Sequence, residues 1–224
     1  MQTLSTEQRT FFETAVSTYQ ADLAADTSAQ AYLMSRGFGP EVAAQFRLGV
    51  VTSPLVGHES YRGRLALPYL TPAGVVNLRF RCIQPHDCKT VVLWVDEKGK
   101  EHHCVKYLSI DGMESNLFNV LDLKKESPYI GVTEGEVDAM TLSICGIPAV
   151  GVPGVENWQD HFGRCLADFD LVYSFADGDK AGKAFGRFLA REAKARPVRV
   201  PRGQDINSIY QEGGADAVRR LLAG

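Results

Sequence analysis

The 224-residue sequence lacks any apolar run near the roughly 20 residues that a helix needs to cross a bilayer. Its first residues, Met1-Gln2-Thr3-Leu4-Ser5, lack the basic-then-apolar order of a secretory leader. The expectation is a cytoplasmic protein with no membrane segment. Cysteine is scarce. Five residues, Cys82, Cys88, Cys104, Cys145 and Cys165, do not make a dense, even-numbered disulfide framework, so reduced thiols are the default. A strong charge of one sign is also missing: the formal net charge of −3 excludes a protein that coats nucleic acid by bulk electrostatics. Internal repeats and low-complexity tracts are absent too, and no Ser/His or Cys/His pattern supports nucleophilic catalysis.

One local absence is informative. From Ser60 to Pro85 there is no acidic residue, while Arg62, Arg64, Arg79 and Arg81 are present, a basic stripe inside an acidic chain. It reads either as a nucleic-acid track or as a solvated face on ordinary strands. With 45% hydrophobic residues the chain can bury a substantial core.

Two halves of different character meet at Lys124-Lys125-Glu126-Ser127-Pro128, a charged segment ended by proline. Before it the pattern predicts helices over 5–23, 28–35 and 40–46, with Pro40 opening the last. Strands follow: 64–70 and 75–83 around a Pro72-Ala73-Gly74 turn, then 91–95 and 102–108 around Glu97-Lys98-Gly99. After it, short apolar runs at 129–133, 149–152, 171–175 and 198–200 alternate with helical stretches at 137–145, 156–167, 181–195 and 206–211. That alternation predicts parallel strands joined by right-handed crossovers, with helices on the sheet faces and ligands beyond the strands' carboxyl ends. The expected segments are 1–27 (helical), 28–127 (an α+β basic lobe), 128–203 (the α/β lobe) and 204–224 (helical).

Carboxylates collect where ligands are expected. The strand 129–133 runs into Glu134-Gly135-Glu136-Val137-Asp138, and 171–175 runs into Ala176-Asp177-Gly178-Asp179. Asp177 and Asp179 are two apart with a glycine between them that lets the backbone turn, and Glu134 and Asp138 are four apart at a helix start. Asp205 follows the last strand. Oxygen ligands of this kind suit Mg²⁺, which keeps waters and substrate phosphates alongside one or two carboxylates. Two such ions about 4 Å apart serve in-line phosphoryl displacement. The bland alternative is helix capping, which accounts for one or two acids but not for three strand ends that all supply them.

These residues carry a resemblance. Glu134-Gly135-Glu136-Val137-Asp138 with Asp177-Gly178-Asp179-Lys180-Ala181-Gly182 is similar to the signature of a Toprim domain, the fold shared by bacterial primases, type IA and II topoisomerases and some small nucleases. Upstream, Tyr32-Leu33-Met34-Ser35-Arg36-Gly37-Phe38, Phe46-Arg47-Leu48-Gly49, Arg62-Gly63-Arg64-Leu65-Ala66-Leu67-Pro68-Tyr69 and Lys106-Tyr107-Leu108 resemble, in order, the RNA-polymerase core of bacterial replicative primases, above all phage-encoded ones. The similarity covers about residues 28 to 215.

The resemblance implies an α/β enzyme: a Toprim lobe with a parallel sheet between helices, preceded by an α+β basic lobe, with the template between them. It implies synthesis of short RNA primers on single-stranded DNA from ribonucleoside triphosphates, with two Mg²⁺ or Mn²⁺ ions. Glu134 matches the family's essential glutamate, Asp138, Asp177, Asp179 and Asp205 its other acidic positions, and Arg64, Arg81 and Lys106 basic residues used around template and nucleotide. Asn207 departs from the pattern where an acid is common, as does Ser109 where an asparagine often follows Lys-Tyr-Leu. Short ends on either side of the core imply a partner, either a replicative helicase or a separately encoded primase fragment. The rivals are a Toprim nuclease and a non-catalytic nucleic-acid-binding accessory; a topoisomerase needs a catalytic tyrosine on a further domain.

Relative to the usual core, residues 82–105 form an insertion with three cysteines and three histidines: Cys82, His86, Cys88, His102, His103 and Cys104. These are zinc-ligand atoms, but Cys82 and Cys88 stand further apart than usual, and extended strands put Cys104 about 13 Å from Cys88. Zinc and ordinary strand residues both stand as readings. Cys145 and Cys165 fall on apolar helix faces and read as core thiols, and Trp94 and Trp158 receive no role.

Overall fold

The computed structural model describes residues 3–223, so the outermost ends of the expected segments 1–27 and 204–224, at Met1, Gln2 and Gly224, lie outside the described residues. The chain divides into two units. The first comprises residues 1–68 and 75–113, the second 69–74 and 114–224. The N-terminal helix thus belongs with the first unit and the C-terminal helix with the second, and the changeover falls at 113/114, ahead of the charged segment at 124–128.

In the first unit, helix α1 (Thr6–Ala25) starts at Ser5, whose side chain accepts from Gln8 N–H while the Gln8 side chain returns to the Ser5 N–H. It buries Phe12, Ala15, Val16, Tyr19 and Leu23, spaced as one helical stripe. Asp26 caps α2 (Thr27–Ser35), and Pro40 occupies the first turn of α3 (Pro40–Gln45). A four-stranded sheet follows in the order β1 (Gly49–Val50), β2 (Arg64–Thr71), β3 (Gly74–Cys82), β6 (Tyr107–Ser109). A Cβ on Gly49 would lie 2.5 Å from the Tyr19 backbone, so β1 sits against α1 only because that side chain is missing. Tyr61 stacks on Phe80 at 3.9 Å, and buried His58 bonds the Tyr19 hydroxyl at 2.7 Å.

The strand expected over 102–108 is two strands in two sheets. β5 (Glu101–His103) pairs with β4 (Val92–Val95) in a two-stranded ribbon, and β6 pairs with β3. The break falls at Cys104-Val105-Lys106, where the Cys104 N–H bonds the Val91 carbonyl and the Lys106 carbonyl accepts from Cys82 N–H. The two neighbours pull this segment to different partners, so one continuous strand cannot serve both.

The second unit is a parallel sheet in the order β10 (Arg196–Pro197), β9 (Leu171–Phe175), β7 (Tyr129–Thr133), β8 (Ala149–Gly151), with β7 in register with β9 from Tyr129↔Leu171 to Thr133↔Phe175. Side chains alternate across it as the strand period requires. Ile130, Val132 and Val172 join Phe162 and Leu166 of α5 (Asp160–Leu166) and Phe185 and Leu189 of α6 (Lys180–Glu192). Phe175 joins Leu142 of α4 (Glu136–Ile144) and Ile206, Ile209 and Val218 of α7 (Ile206–Arg220) on the other face.

Three expectations shift here. The last strand lies at 196–197 rather than 198–200, the helix expected over 156–167 is a 3₁₀ turn followed by α5, and α7 runs on past a kink at Gly214. Cys145 is buried as expected, but Cys165 is exposed, because α5 turns only Phe162 and Leu166 inward. Trp158 packs edge-on against Phe162 and Phe188. No helix among the described residues is long and apolar enough to cross a membrane.

Candidate active site and thiol cluster

Glu134 follows the last residue of β7, and Asp177 and Asp179 follow β9, the strand hydrogen-bonded beside it. Adjacent parallel strands ending level bring their following residues together, which is why separated sequence motifs meet. Burial raises the Glu134 carboxyl, and the charges of Asp177 and Asp179 push it further, to about 7, while a hydrogen bond from the Asp177 backbone acts in the opposite sense. Glu134 Oε1 is buried without a hydrogen-bond partner. Such an atom is costly unless something binds it.

The other acids have visible local work. Asp179 caps α6 by accepting from Gly182 N–H at 2.8 Å, and Asp205 caps α7 by accepting from Ser208 N–H at 2.7 Å. Asp138 accepts from Asn207 N–H at 3.0 Å, and the Asn207 side chain bonds Thr141. Asn207 therefore ties the α7 start to α4. Glu134 caps nothing: Gly135 holds the N-cap of α4 and makes no side-chain cap. Asp177 lines a cavity of about 830 Å³ with Lys183, Arg187, Arg199 and Arg202.

Gly178 matters for a reason other than turning. Its φ is not positive, but a Cβ there would lie 2.0 Å from the Pro201 carbonyl oxygen, and the Gly178 N–H bonds the Gln204 carbonyl at 3.0 Å. The glycine lets the loop that leads into Asp205 lie against the Asp177 loop. Glu136, 1% exposed, accepts from the Tyr69 hydroxyl at 2.7 Å. Sequence reasoning passed over Glu136, although its place in Glu134-Gly135-Glu136 was a signal.

The basic residues are more engaged than a free stripe would be. Arg64 donates to the Val105 carbonyl at 2.7 Å and approaches Cys104 Sγ at 4.0 Å. Arg81 is 6% exposed, with Nε on the Tyr32 hydroxyl at 2.7 Å and Nη1 on the Tyr107 hydroxyl, and Arg79 lies over the Tyr107 ring. Burial of Arg81 is offset by these tyrosines.

In the first unit, Cys82, His86, Cys88 and Cys104 bring one ligand atom each to within 4.8 Å of one another. The 13 Å separation expected from extended strands does not occur, because residues 87–90 turn, with the Thr90 N–H on the Asp87 carbonyl. Burial, then the Cys104 and Cys82 sulfurs, push the Cys88 thiol up to about 12; a cation among them acts in the opposite sense. His102 and His103 stand apart from this group, paired with Asp96 and Glu101, and His102 stacks on Trp94 at 3.8 Å.

The chain is 34% identical over 164 residues to the Gene 57 protein of Mycobacterium phage D29, covering 70% of this chain and 97% of that one. The chain belongs to the family of that phage protein. Residues 131–210 match the Toprim-like family, and the acids Glu134, Asp138, Asp177, Asp179 and Asp205 all fall inside that match. The chain is also 27% identical over 187 residues to the DNA primase of Haemophilus influenzae, covering 74% of this chain and spanning 32% of that protein. A DnaG primase catalytic domain bound to single-stranded DNA superposes with a TM-score of 0.73 at 21% identity, over 96% of this chain and 77% of that one. The fold is that of the bacterial-type primase catalytic core, with a parallel Toprim sheet. Among the described residues, Glu134 follows β7 and Asp177 and Asp179 follow β9, while Asp138 lies in α4 and Asp205 caps α7.

Proposed function

We propose that the chain is the catalytic core of a primase, joining ribonucleoside triphosphates into short primers on single-stranded DNA. The observation that carries this reading is Glu134. Its carboxylate is half-buried, has one oxygen without a hydrogen-bond partner, serves no cap and lies in the field of Asp177 and Asp179. Unpaired buried oxygen beside like charge fits a divalent cation better than it fits a folded-state role, and all-oxygen donors select Mg²⁺ or Mn²⁺. When bound, such ions neutralise the triphosphate and favour ionisation of the attacking 3′-hydroxyl.

The chain's own residues supply position. Glu134, Asp177 and Asp179 hold the cations, with Asp138 and Asp205 fixing the α4 and α7 starts around them. Lys183, Arg187, Arg199 and Arg202 offer charge to phosphates in the cavity that Asp177 borders. Helix N-termini at Asp179 and Asp205 add positive potential that offsets repulsion among the acids. Arg64 and Lys106 are assigned to template or nucleotide. Arg81 supports them by fixing Tyr32 and Tyr107, since two of its donors are already used.

The helix caps made by Asp179 and Asp205 favour a second reading, a non-catalytic nucleic-acid-binding accessory, and Glu134 is what that reading leaves unexplained. The chain spans about a third of the Haemophilus primase. A replicative helicase or a second primase fragment is proposed as partner on the strength of the likeness to primases. Single-stranded template, labelled ribonucleotides and Mg²⁺ or Mn²⁺, with products resolved on a gel and with the helicase added in parallel, test all three. New oligoribonucleotides support the primase, a shortened template indicates a Toprim nuclease, and no metal-dependent product supports the accessory.

A further inference from the structure

The ribbon β4–β5 poses a physical problem. All four residues of β4 are exposed, Leu93 at 58% and Trp94 at 55%, so the ribbon buries little apolar surface of its own. A lone two-stranded ribbon is marginal in water at best. What lies at its base is the group of Cys82, His86, Cys88 and Cys104, with Cys82 at the end of β3 and Cys104 directly after β5.

Two of the distances, both made by Cys82, have the values a single ion needs. Tetrahedral zinc with Zn–S bonds of about 2.3 Å sets its sulfurs about 3.8 Å apart and its nitrogen slightly closer. Cys82 Sγ and Cys104 Sγ are 3.7 Å apart, and Cys82 Sγ and His86 Nε2 are 3.6 Å apart. A multi-iron cluster spreads its thiolates around several metal atoms, which four ligand atoms all within 4.8 Å of one another do not permit. Three thiolates and a neutral imidazole around Zn²⁺ leave one negative charge, and the Arg64 guanidinium, 4.0 Å from Cys104 Sγ, faces it. Charged donors next to ligand atoms orient them and tune affinity.

We infer that Cys82, His86, Cys88 and Cys104 form a closed structural zinc site that fixes the 91–105 ribbon to the end of β3, with Arg64 balancing its charge. His102 and His103 are not ligands. The inference does not rest on nucleotidyl transfer, because its readouts need no substrate.

The test is the metal content of the full chain, expressed in zinc-supplemented medium and purified under reducing conditions without chelator, together with the absorption spectrum after cobalt replaces zinc. One zinc per chain, and a cobalt spectrum with thiolate charge-transfer bands and tetrahedral intensity, are expected. Cys88→Ser and Cys82→Ser lose the metal, His102→Ala, His103→Ala and Cys165→Ser keep it, and Arg64→Gln weakens zinc affinity by about tenfold. If a cysteine variant fails to fold, the wild-type cobalt spectrum still decides. A chain that carries no zinc, a Cys82–Cys104 disulfide found by mass spectrometry, or loss of zinc in His102→Ala or His103→Ala overturns the assignment.

Discussion

Glu134, Asp177 and Asp179 follow two strands that lie in a sheet covered on both faces, with Ile130, Val132, Val172 and Phe175 buried among four helices. Cys82, His86, Cys88 and Cys104 stand at the base of a ribbon whose four β4 residues are all exposed. In the first case the apolar core builds the site and holds like charges together against their repulsion, so on the function proposed above a metal would relax the site rather than create it. In the second no core is available, and the ligands themselves are what can hold the segment. Hard oxygen donors on a rigid rim suit an ion that keeps waters and exchanges substrate; sulfur and nitrogen donors closed around one point suit an ion that stays.

The largest effect should come from breaking the acid site. Glu134→Gln, Asp177→Asn and Asp179→Asn each should lower primer synthesis at least about 100-fold while the melting temperature holds or rises, since removing charge relieves repulsion as it removes a ligand. Asp179→Asn keeps an oxygen that caps α6, so loss of activity there separates metal binding from capping. Breaking the other site should act locally. Zinc removal by chelator should raise hydrogen exchange across the 91–105 amides and leave exchange in β7 and β9 unchanged; parallel loss of protection in both places would mean that the ribbon and the sheet do not depend on different supports.

The parallel sheet was legible because its four apolar runs alternate with helical stretches, and the acid motif was legible because Asp177-Gly178-Asp179 and Glu134-Gly135-Glu136 lie just past apolar runs. The purpose of Gly178 was not, since the crowding carbonyl belongs to Pro201, more than twenty residues later. The split at Cys104-Val105-Lys106 was hidden for a similar reason. An apolar-tolerant run from 102 to 108 reads as one strand until two partners compete for it. Cys88 looked too distant from Cys104 because an extended strand was assumed where residues 87–90 turn. Arg81 looked like a surface cation because the two tyrosines that enclose it, Tyr32 and Tyr107, are remote in sequence.

A smaller effect concerns pH. Folded Glu134 holds its proton up to about 7, against an ordinary 4.5 once unfolded, so between those values the unfolded chain releases a proton that the folded chain keeps. Stability of the metal-free protein should therefore fall as pH rises from about 4.5 to 7, and Mg²⁺ should offset the loss. Glu134→Gln should remove both the slope and its reversal, as read by chemical denaturation across that range. Burial of His58 works with the opposite sign, since its lowered pKa costs stability as pH falls below 6.5, and this slope should survive in Glu134→Gln.

The smallest effect belongs to single basic residues. Lys106→Ala should weaken binding of single-stranded DNA and reduce the dependence of log affinity on log salt by about 0.7, the contribution of one phosphate contact, whereas Glu134→Gln should leave that slope unchanged. Equal slopes for the wild type and Lys106→Ala would move the template track elsewhere.

The most direct test of the acid site is cleavage of the polypeptide by hydroxyl radicals generated at Fe²⁺ substituted for Mg²⁺, with the fragments read by mass spectrometry. The account predicts cuts beside Glu134 and the Asp177–Asp179 loop, suppressed by excess Mg²⁺ and lost in Glu134→Gln. Fragments confined to the Cys82–Cys104 region, or an unchanged pattern in Glu134→Gln, would contradict it.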